Sequence, residues 1–518
     1  MEAGRWKIAE ADGRGRNDAV WNRGGKRSVA KFTEIPGALA KPRVATFRPP
    51  PSISAPAWAR LCQLLLPGLA VVLLAAGCRG LQTAGEKSAR RELAAVTDQY
   101  RRGERPPSLP ALTPEAGMSN FLAYALLNSP SVEAAYDDWA AAVERITVER
   151  SLPDPKLTFQ AYIQDTLTSL MPGLMQDFPG LGKRAAAADA ATAEGQARYF
   201  AFESAVLKTA FEVKSAYYNL YFLDERLRIN RQTLALLADL ETAARAQNEV
   251  GKATLQDVYR AQIERDQLRT VITNLADSRR PLCAQFKAAL GLQRGQPDPP
   301  TPAKFESTPL DLNADDLLAT AFARNPRLKA MEAEVRLTEA SIAQAGKSRM
   351  PDFSAGLQAE VYQPPFYWPE ASMTLPVWRD KLAAQLAAAE AGKRAATARL
   401  TTEQIGLTVD FAVRTYDYRE ITRNLALLEN QLIPKARQSL EIARAGYLSG
   451  RVDFFNLIDA ERAWLNFQLE DIQERTRREV TLAELSLTIA GVPPPGAPVL
   501  AAPPEVSARS GPDFSHQP

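Results

Sequence analysis

A long stretch without proline, between Pro179 and Pro281, constrains the fold of this chain more than any other feature. Within it, apolar residues recur every seven positions, and two leucines follow three positions after members of this series, as in a coiled-coil seam. These residues are Val206, Val213, Leu220, Leu227 and Leu234, with Leu223 and Leu237. A single helix over 184–250 would be about 100 Å long. Because such a rod cannot bury itself in a compact domain, we expect it to pack along partner helices over its whole length.

Most of the chain consists of one pattern that occurs twice. The block Ala125–Val132 matches Ala321–Leu328 at an offset of 196 residues, and Gly291 matches Gly491 at an offset of 200. Matches that keep their order and spacing indicate a tandem duplication. The predicted organisation is a first repeat at 113–300, a Pro-rich linker at 301–313, a second repeat at 314–492 and a Pro-rich tail at 493–518.

Each repeat is predicted to contain a long helical hairpin. In the second repeat the first helix of the hairpin spans about 381–449 and is kinked at Pro434. The helices reverse at Gly251-Lys252 and at Gly450-Arg451, since glycine supplies the permissive backbone of a tight turn. They then return over 254–290 and 453–490.

A pair of short strands is predicted ahead of each long helix. Apolar and polar residues alternate after Pro153 and again after Pro351, which gives each strand one apolar and one polar face. A second strand follows near 169–178 in the first repeat and near 371–375 in the second. Strands of about nine to eleven residues have the length of a tilted membrane-spanning strand. An edge hairpin on a soluble domain is the alternative.

The N-terminus has the features of an export signal. Residues 61–77 carry no charge and follow Arg60, and a basic flank with an apolar core is typical of a secretory signal. The segment Leu74-Ala75-Ala76-Gly77-Cys78 resembles a bacterial lipobox, in which the signal is cut before an acylated cysteine. This resemblance implies lipidation of Cys78 and, with Arg79 following, sorting to the outer membrane. An uncleaved anchor or a plain signal with an incidental cysteine is the alternative.

These features divide the N-terminal part into two segments. We expect residues 1–77, an extension plus signal peptide, to be removed or not translated, because the basic, Pro-containing stretch 1–57 fits no signal. Residues 78–112 are then predicted to be a lipid-anchored linker.

Composition argues against several functions. The chain has 63 Lys and Arg against 60 Asp and Glu, but residues 1–60 hold 12 basic and 5 acidic residues, so the remainder is net acidic. A nucleic-acid partner is therefore not expected. The lone His516 in the tail and three cysteines argue against an enzyme, a metal site and a disulfide framework. We predict no cofactor.

The duplicated strand pairs and long hairpins, together with the lipobox, resemble the TolC-type outer-membrane efflux proteins. The strongest local matches are the segment 447–460, which begins Tyr447-Leu448-Ser449-Gly450-Arg451, and the paired Gly291 and Gly491. The segment 176–184 is similar to a strand-to-helix corner of the heavy-metal efflux branch. The resemblance implies a mainly α fold with a small β part. In it, long coiled-coil hairpins form a periplasmic α-barrel, and four strands per chain enter a trimeric twelve-stranded membrane β-barrel.

The resemblance also implies functional positions and partners. The hairpin turns, with Gly251, Lys252, Gly450 and Arg451, would contact a periplasmic adaptor protein, and Asn456 and Asp459 would line the closed aperture. The implied partners are two further copies of the chain, the adaptor, an inner-membrane pump of the resistance-nodulation-division type and membrane lipid. The expected function is a conduit for small solutes, drugs or metal ions, anchored in the bacterial outer membrane with a large periplasmic portion. The alternative is a periplasmic coiled-coil lipoprotein without a pore, acting as adaptor or scaffold.

Overall fold

The structure, a computed structural model, describes residues 82–100, 108–164, 166–302, 305, 314–360 and 366–493. The predicted signal peptide, Cys78 and nearly all of the predicted C-terminal tail lie outside these residues.

The first repeat contains helices on both sides of a strand pair. The repeat is preceded by α1 (Ala84–Tyr100), and its own elements are α2 (Met118–Asn128), α3 (Pro130–Arg150), β1 (Lys156–Gln164), β2 (Thr166–Phe178), α4 (Lys183–Glu249) and α5 (Leu255–Ala289). The long helix α4 runs for 67 residues without interruption, within one residue of the predicted bounds at each end. At 1.5 Å per residue this helix is about 100 Å long.

The second repeat has the same order of elements. They are α6 (Ala314–Arg324), α7 (Pro326–Lys347), β3 (Asp352–Glu360), β4 (Phe366–Thr374), α8 (Arg379–Leu427), α9 (Ile433–Leu448) and α10 (Phe454–Ala483). A turn of π-helix, Leu428–Leu432, joins α8 to α9, and a second π-helical segment, Glu484–Ile489, extends α10. The first π turn ends two residues before Pro434, the position of the predicted kink. Proline lacks an N–H and its ring crowds the preceding turn, so a locally widened helix accommodates it.

The long helix α4 packs along its length against helices of both repeats. It contacts α3, α5, α7 and α10. Most of the predicted seam is buried, with Val206, Val213 and Leu220 fully covered and Leu227 4% exposed, while Leu234 is partly buried. Among the described residues, no helix combines the length and the apolar character needed to cross a membrane.

The segment 78–112, predicted as a linker, contains helix α1, which packs on α3 and α4. Its Val96 and Tyr100 are 2% exposed, and a Cβ on Gly85 would lie only 2.8 Å from Cγ2 of Thr192 on α4. The fully buried carboxylate of Glu86 accepts hydrogen bonds from the Arg150 guanidinium at 2.5 Å and the Thr147 hydroxyl at 2.7 Å. A buried charge is stable only when paired and hydrogen-bonded, so this cluster fixes the start of α1.

The four strands form one antiparallel sheet in the order β1-β2-β3-β4. The central pair joins the two repeats, with Gly173 opposite Gln358 and Phe178 opposite Phe353. Strands β1, β3 and β4 have nine residues, within the predicted nine to eleven, whereas β2 has 13 and begins three residues before the predicted 169–178.

Candidate functional site

Both helical hairpins reverse through the same backbone geometry. Gly251 and Gly450 have φ angles of 72° and 74°, in the left-handed region. In the first turn the Gly251 N–H donates to the Asn248 carbonyl at 2.9 Å, and the Lys252 N–H donates to the Gln247 carbonyl at 2.8 Å. The second turn has the equivalent bonds from Gly450 to Tyr447 and from Arg451 to Gly446. This is the Schellman arrangement, which satisfies the last carbonyls of a helix and requires a residue tolerant of positive φ.

A side-chain cap starts the returning helix after each turn. The Thr254 hydroxyl accepts from the Asp257 N–H, and the Asp257 carboxylate accepts from the Thr254 N–H, which completes a capping box. In the second hairpin, Asp453 accepts from the Asn456 N–H at 3.0 Å. Each cap satisfies N–H groups that the first turn of a helix leaves without partners.

The structure brings the two hairpin ends together. Leu240 and Val258 from the first hairpin share an apolar cluster with Leu440 and Leu457 from the second. The Arg462 guanidinium on α10 forms an ion pair with Glu264 on α5. The two turns therefore lie at one end of the helical body.

The predicted aperture and adaptor residues are all at this end and exposed to solvent. Lys252, Arg451, Asn456 and Asp459 are exposed. Among the described residues, the charged side chains of Lys252, Arg451 and Asp459 form no ion pair. These exposed side chains are accessible to another chain or to a passing solute. Cys78, the predicted lipidation site, lies outside the described residues.

A buried carboxyl close to the hairpin turns was not predicted. Glu461 on α10 is 1% exposed, and burial, with the Glu264 carboxylate nearby, raises its pKa to about 7, against an opposing effect of Arg462. The sequence holds a signal for this burial. Phe454 and Ile458 precede Glu461 by seven and three residues, so all three lie on the apolar face of the helix.

The sheet has two chemically different faces. Residues directly opposite each other in the register share a face, and the first face is apolar and open to the surroundings in the single chain. It contains Leu157, Phe159, Leu170, Leu174, Phe353, Leu357 and Met373, each at least 41% exposed. So large an exposed apolar surface marks an interaction with a membrane or another protein.

The second face of the sheet is mainly polar. The Asp177 carboxylate accepts a hydrogen bond from the Ser354 hydroxyl and forms an ion pair with the Lys156 ammonium, both at 2.6 Å. Further along, the Gln358 amide donates to Glu370 at 2.7 Å. A sheet with one exposed apolar face and one hydrogen-bonded polar face is typical of strands that have lipid on one side and water on the other.

Two stretches of the chain, 122–292 and 317–491, match the family model described as outer membrane efflux protein. Together they cover more than half of the chain, one match in each structural repeat. The chain belongs to the outer membrane efflux protein family. The predicted family is thereby confirmed. Comparison with curated proteins gives no match.

Solved outer-membrane channels have the same fold. The outer membrane protein VceC from Vibrio cholerae is 19% identical with a TM-score of 0.62, and the match covers 72% of this chain and 96% of that chain. The CmeC outer membrane channel of Campylobacter jejuni is 12% identical with a TM-score of 0.63, covering 76% and 91%. The open state of the Neisseria gonorrhoeae MtrE channel is 15% identical with a TM-score of 0.60, covering 75% and 96%.

Membership of the outer membrane efflux protein family has direct consequences for function. The chain is a component of an outer-membrane efflux channel, with a periplasmic portion, and its family and fold are those of channel proteins rather than enzymes. The predicted fold class, mainly helical with a small antiparallel sheet, is confirmed.

Proposed function

We propose that three copies of the chain form one continuous conduit from the periplasm through the outer membrane. The observation that supports this most is the four-stranded sheet with an exposed apolar face and a polar face. Four strands are too few to close a barrel, and an open sheet edge is not tolerated in lipid. Three copies would supply twelve strands, and the long hairpins would continue the wall as a periplasmic α-barrel.

A lipid anchor supplements the barrel in this proposal. Cys78, at the end of the lipobox, is the residue we assign to acylation. Helix α1 begins six residues later and is clamped to the helical body through Glu86. This short spacing supports an anchor held close to the body of the channel.

The hairpin ends are the part that would meet the other components. We assign Gly251, Lys252, Gly450 and Arg451 to contact with a periplasmic adaptor, on the basis of their exposure at one end of the molecule. An inner-membrane pump of the resistance-nodulation-division type would deliver drugs or metal ions and supply the energy, since the conduit itself works by gated diffusion.

The closed aperture would form beside these turns. Asn456 and Asp459 are exposed on the first turns of α10, and three copies of Asp459 would place three carboxylates around the threefold axis. A ring of carboxylates attracts cations. Replacing Asp459→Asn should therefore lower the preference for cations in single-channel recordings.

Extraction and conductance together test the proposal. Purified protein in a planar bilayer should conduct ions, and the Cys78→Ala variant should stay in the membrane after carbonate washing, because the barrel holds it there. Release of Cys78→Ala into the periplasmic fraction, with no conductance from the wild type, would contradict a pore and favour the scaffold lipoprotein.

A further inference from the structure

The four junctions between strands and helices lie at one end of the sheet, where β1 and β3 begin and β2 and β4 end. Arg150 ends α3 just before β1, Lys183 begins α4 just after β2, and the second repeat has the equivalent junctions at Lys347 and Arg379. Contacts across the junctions confirm that they are neighbours. The Gly180 N–H and the Lys183 ammonium both donate to Asp352 at 2.7 Å. If the sheet crosses the membrane, this end of the sheet lies at the boundary between lipid and periplasm.

Positive charge accumulates at this end of the sheet. Five basic side chains are exposed there and, within the described residues, form no ion pair with a carboxylate: Arg184, Lys347, Arg349, Arg379 and Lys381. In the part of the chain that the structure describes, Asp154 and Asp380 are exposed carboxylates at the same end of the sheet that form no ion pair. Each chain thus presents an excess of positive charge at the level where the strands end.

Large apolar side chains are exposed beside these charges. Leu181, between β2 and α4, is 84% exposed, and Val377 and Trp378, between β4 and α8, are 64% and 74% exposed. These positions are equivalent in the two repeats, since each lies between the end of a strand and the start of a long helix. They lie along the chain between the ends of the strands and the charged residues.

We propose that these eight side chains, the corner collar, bind the anionic phospholipid headgroups of the membrane leaflet that faces the periplasm. An indole ring partitions to the headgroup level, and lysine or arginine beside an anionic leaflet adds electrostatic attraction. The inference rests on the proposed membrane insertion and adds to it a choice of lipid. A channel fixed in this way has its depth in the bilayer set by the collar as well as by the strand length.

Retention of lipid by the full-length protein tests the collar. Purified protein is equilibrated with detergent micelles that contain equal amounts of phosphatidylglycerol and phosphatidylcholine, repurified, and its bound lipid is quantified. The collar variant replaces Lys347, Arg349, Arg379 and Lys381 by glutamine. The matched control variant replaces four basic residues on α8 and α9 that are also exposed and that form no ion pair within the described residues: Arg419, Arg423, Lys435 and Arg444.

We expect the wild type and the control variant to retain phosphatidylglycerol in preference to phosphatidylcholine. Because each basic residue near an anionic surface contributes about five-fold in affinity, the collar variant should lose at least about ten-fold of this preference. A variant with Arg and Lys interchanged at the four collar positions should keep it. Equal preference in the wild type and collar variant, or equal loss in the collar and control variants, would overturn the inference.

Insertion into vesicles of phosphatidylcholine alone separates this inference from the proposed channel. Both variants should insert there and resist carbonate extraction, since the apolar sheet face does not need anionic lipid. Insertion by all proteins without a lipid preference would reject the collar and leave the channel intact. Failure of the wild type to insert into any vesicle would reject both.

Discussion

Gly450 allows the second hairpin to reverse at a φ of 74°, and a Cβ at this position would meet no atom within 4 Å. The cost of Gly450→Ala is therefore the cost of the left-handed backbone alone, about 1 kcal/mol of the free energy of unfolding. Gly450→Asn should cost less, because asparagine tolerates this conformation. Thermal unfolding in detergent, followed by circular dichroism, measures both variants. Equal stability of the alanine variant and the wild type would contradict the Schellman turn.

The buried carboxyl of Glu461 makes stability depend on pH near neutrality. Its folded pKa of about 7 lies above the ordinary value of 4.5, so between these values the folded chain retains a proton that the unfolded chain releases. The free energy of unfolding then falls as pH rises through this window, by about 3 kcal/mol for this group. Glu461→Gln should remove this part of the pH dependence.

Denaturant unfolding at about pH 5 and about pH 8 checks the effect of Glu461→Gln. The control is Asp459→Asn, two residues away and exposed, which should leave the pH dependence unchanged. If the free energy of unfolding changes by the same amount between the two pH values in Glu461→Gln and in the wild type, this carboxyl is not held neutral in the folded chain.

At the scale of single residues, the sequence indicates apolar positions better than buried charges. Val206 and Leu220 follow a repeat of seven and are buried as predicted. Glu86 and Glu461 are buried as well, but a single acidic residue on a helix resembles a solvated surface residue until its partners are known. The partners of Glu86 on α3 lie about sixty residues away in the chain, beyond the reach of any local pattern.

At the scale of elements, the two faces of β1 predict opposite responses to charge. Phe159 lies on the apolar face and is 66% exposed, whereas its neighbour Gln160 lies on the polar face. Arginine on a lipid-facing position near the bilayer midplane costs about 2–4 kcal/mol. Phe159→Arg should therefore reduce the amount of protein resistant to carbonate extraction, and Gln160→Arg should not. Equal effects of both would contradict the assignment of faces.

Docking of α1 depends on the buried carboxylate of Glu86. Removing one partner of a buried ion pair costs about 3–5 kcal/mol, so Glu86→Ala should release α1 and expose residues 84–100 to limited proteolysis. A second ion pair joins the same helices, from Arg90 on α1 to Glu144 on α3, but the Glu144 side chain is 62% exposed. Glu144→Ala should cost less than about 1 kcal/mol and leave α1 protected. Protection of α1 in both variants would show that its apolar contacts suffice.

The elements themselves were largely predictable, but their pairing was not. Alternation after Pro153 and Pro351 predicts strands at β1 and β3, and the absence of proline predicts α4. The pairing of β2 with β3, which places Phe178 opposite Phe353, joins segments of different repeats. Helix α4 likewise packs on α7 of the second repeat. Periodicity within a segment reports which face is buried, not which segment covers it.

At the scale of the whole molecule, two halves of one duplicated pattern form a sheet too narrow to close and helical hairpins too long for a compact domain. In the proposed assembly, lipid covers the exposed apolar face, and strands from other copies pair with the outer edges of β1 and β4. The strand-to-helix corners and the hairpin ends lie at opposite ends of the long helix α4. The proposal assigns the first end to the membrane and the second to the adaptor.

Electron microscopy of the full-length protein purified in detergent tests this assembly most directly. We expect particles with threefold symmetry, in which twelve strands close around a pore and the long helices continue the same wall. Particles that contain one compact chain, stable in buffer without detergent, would contradict the conduit.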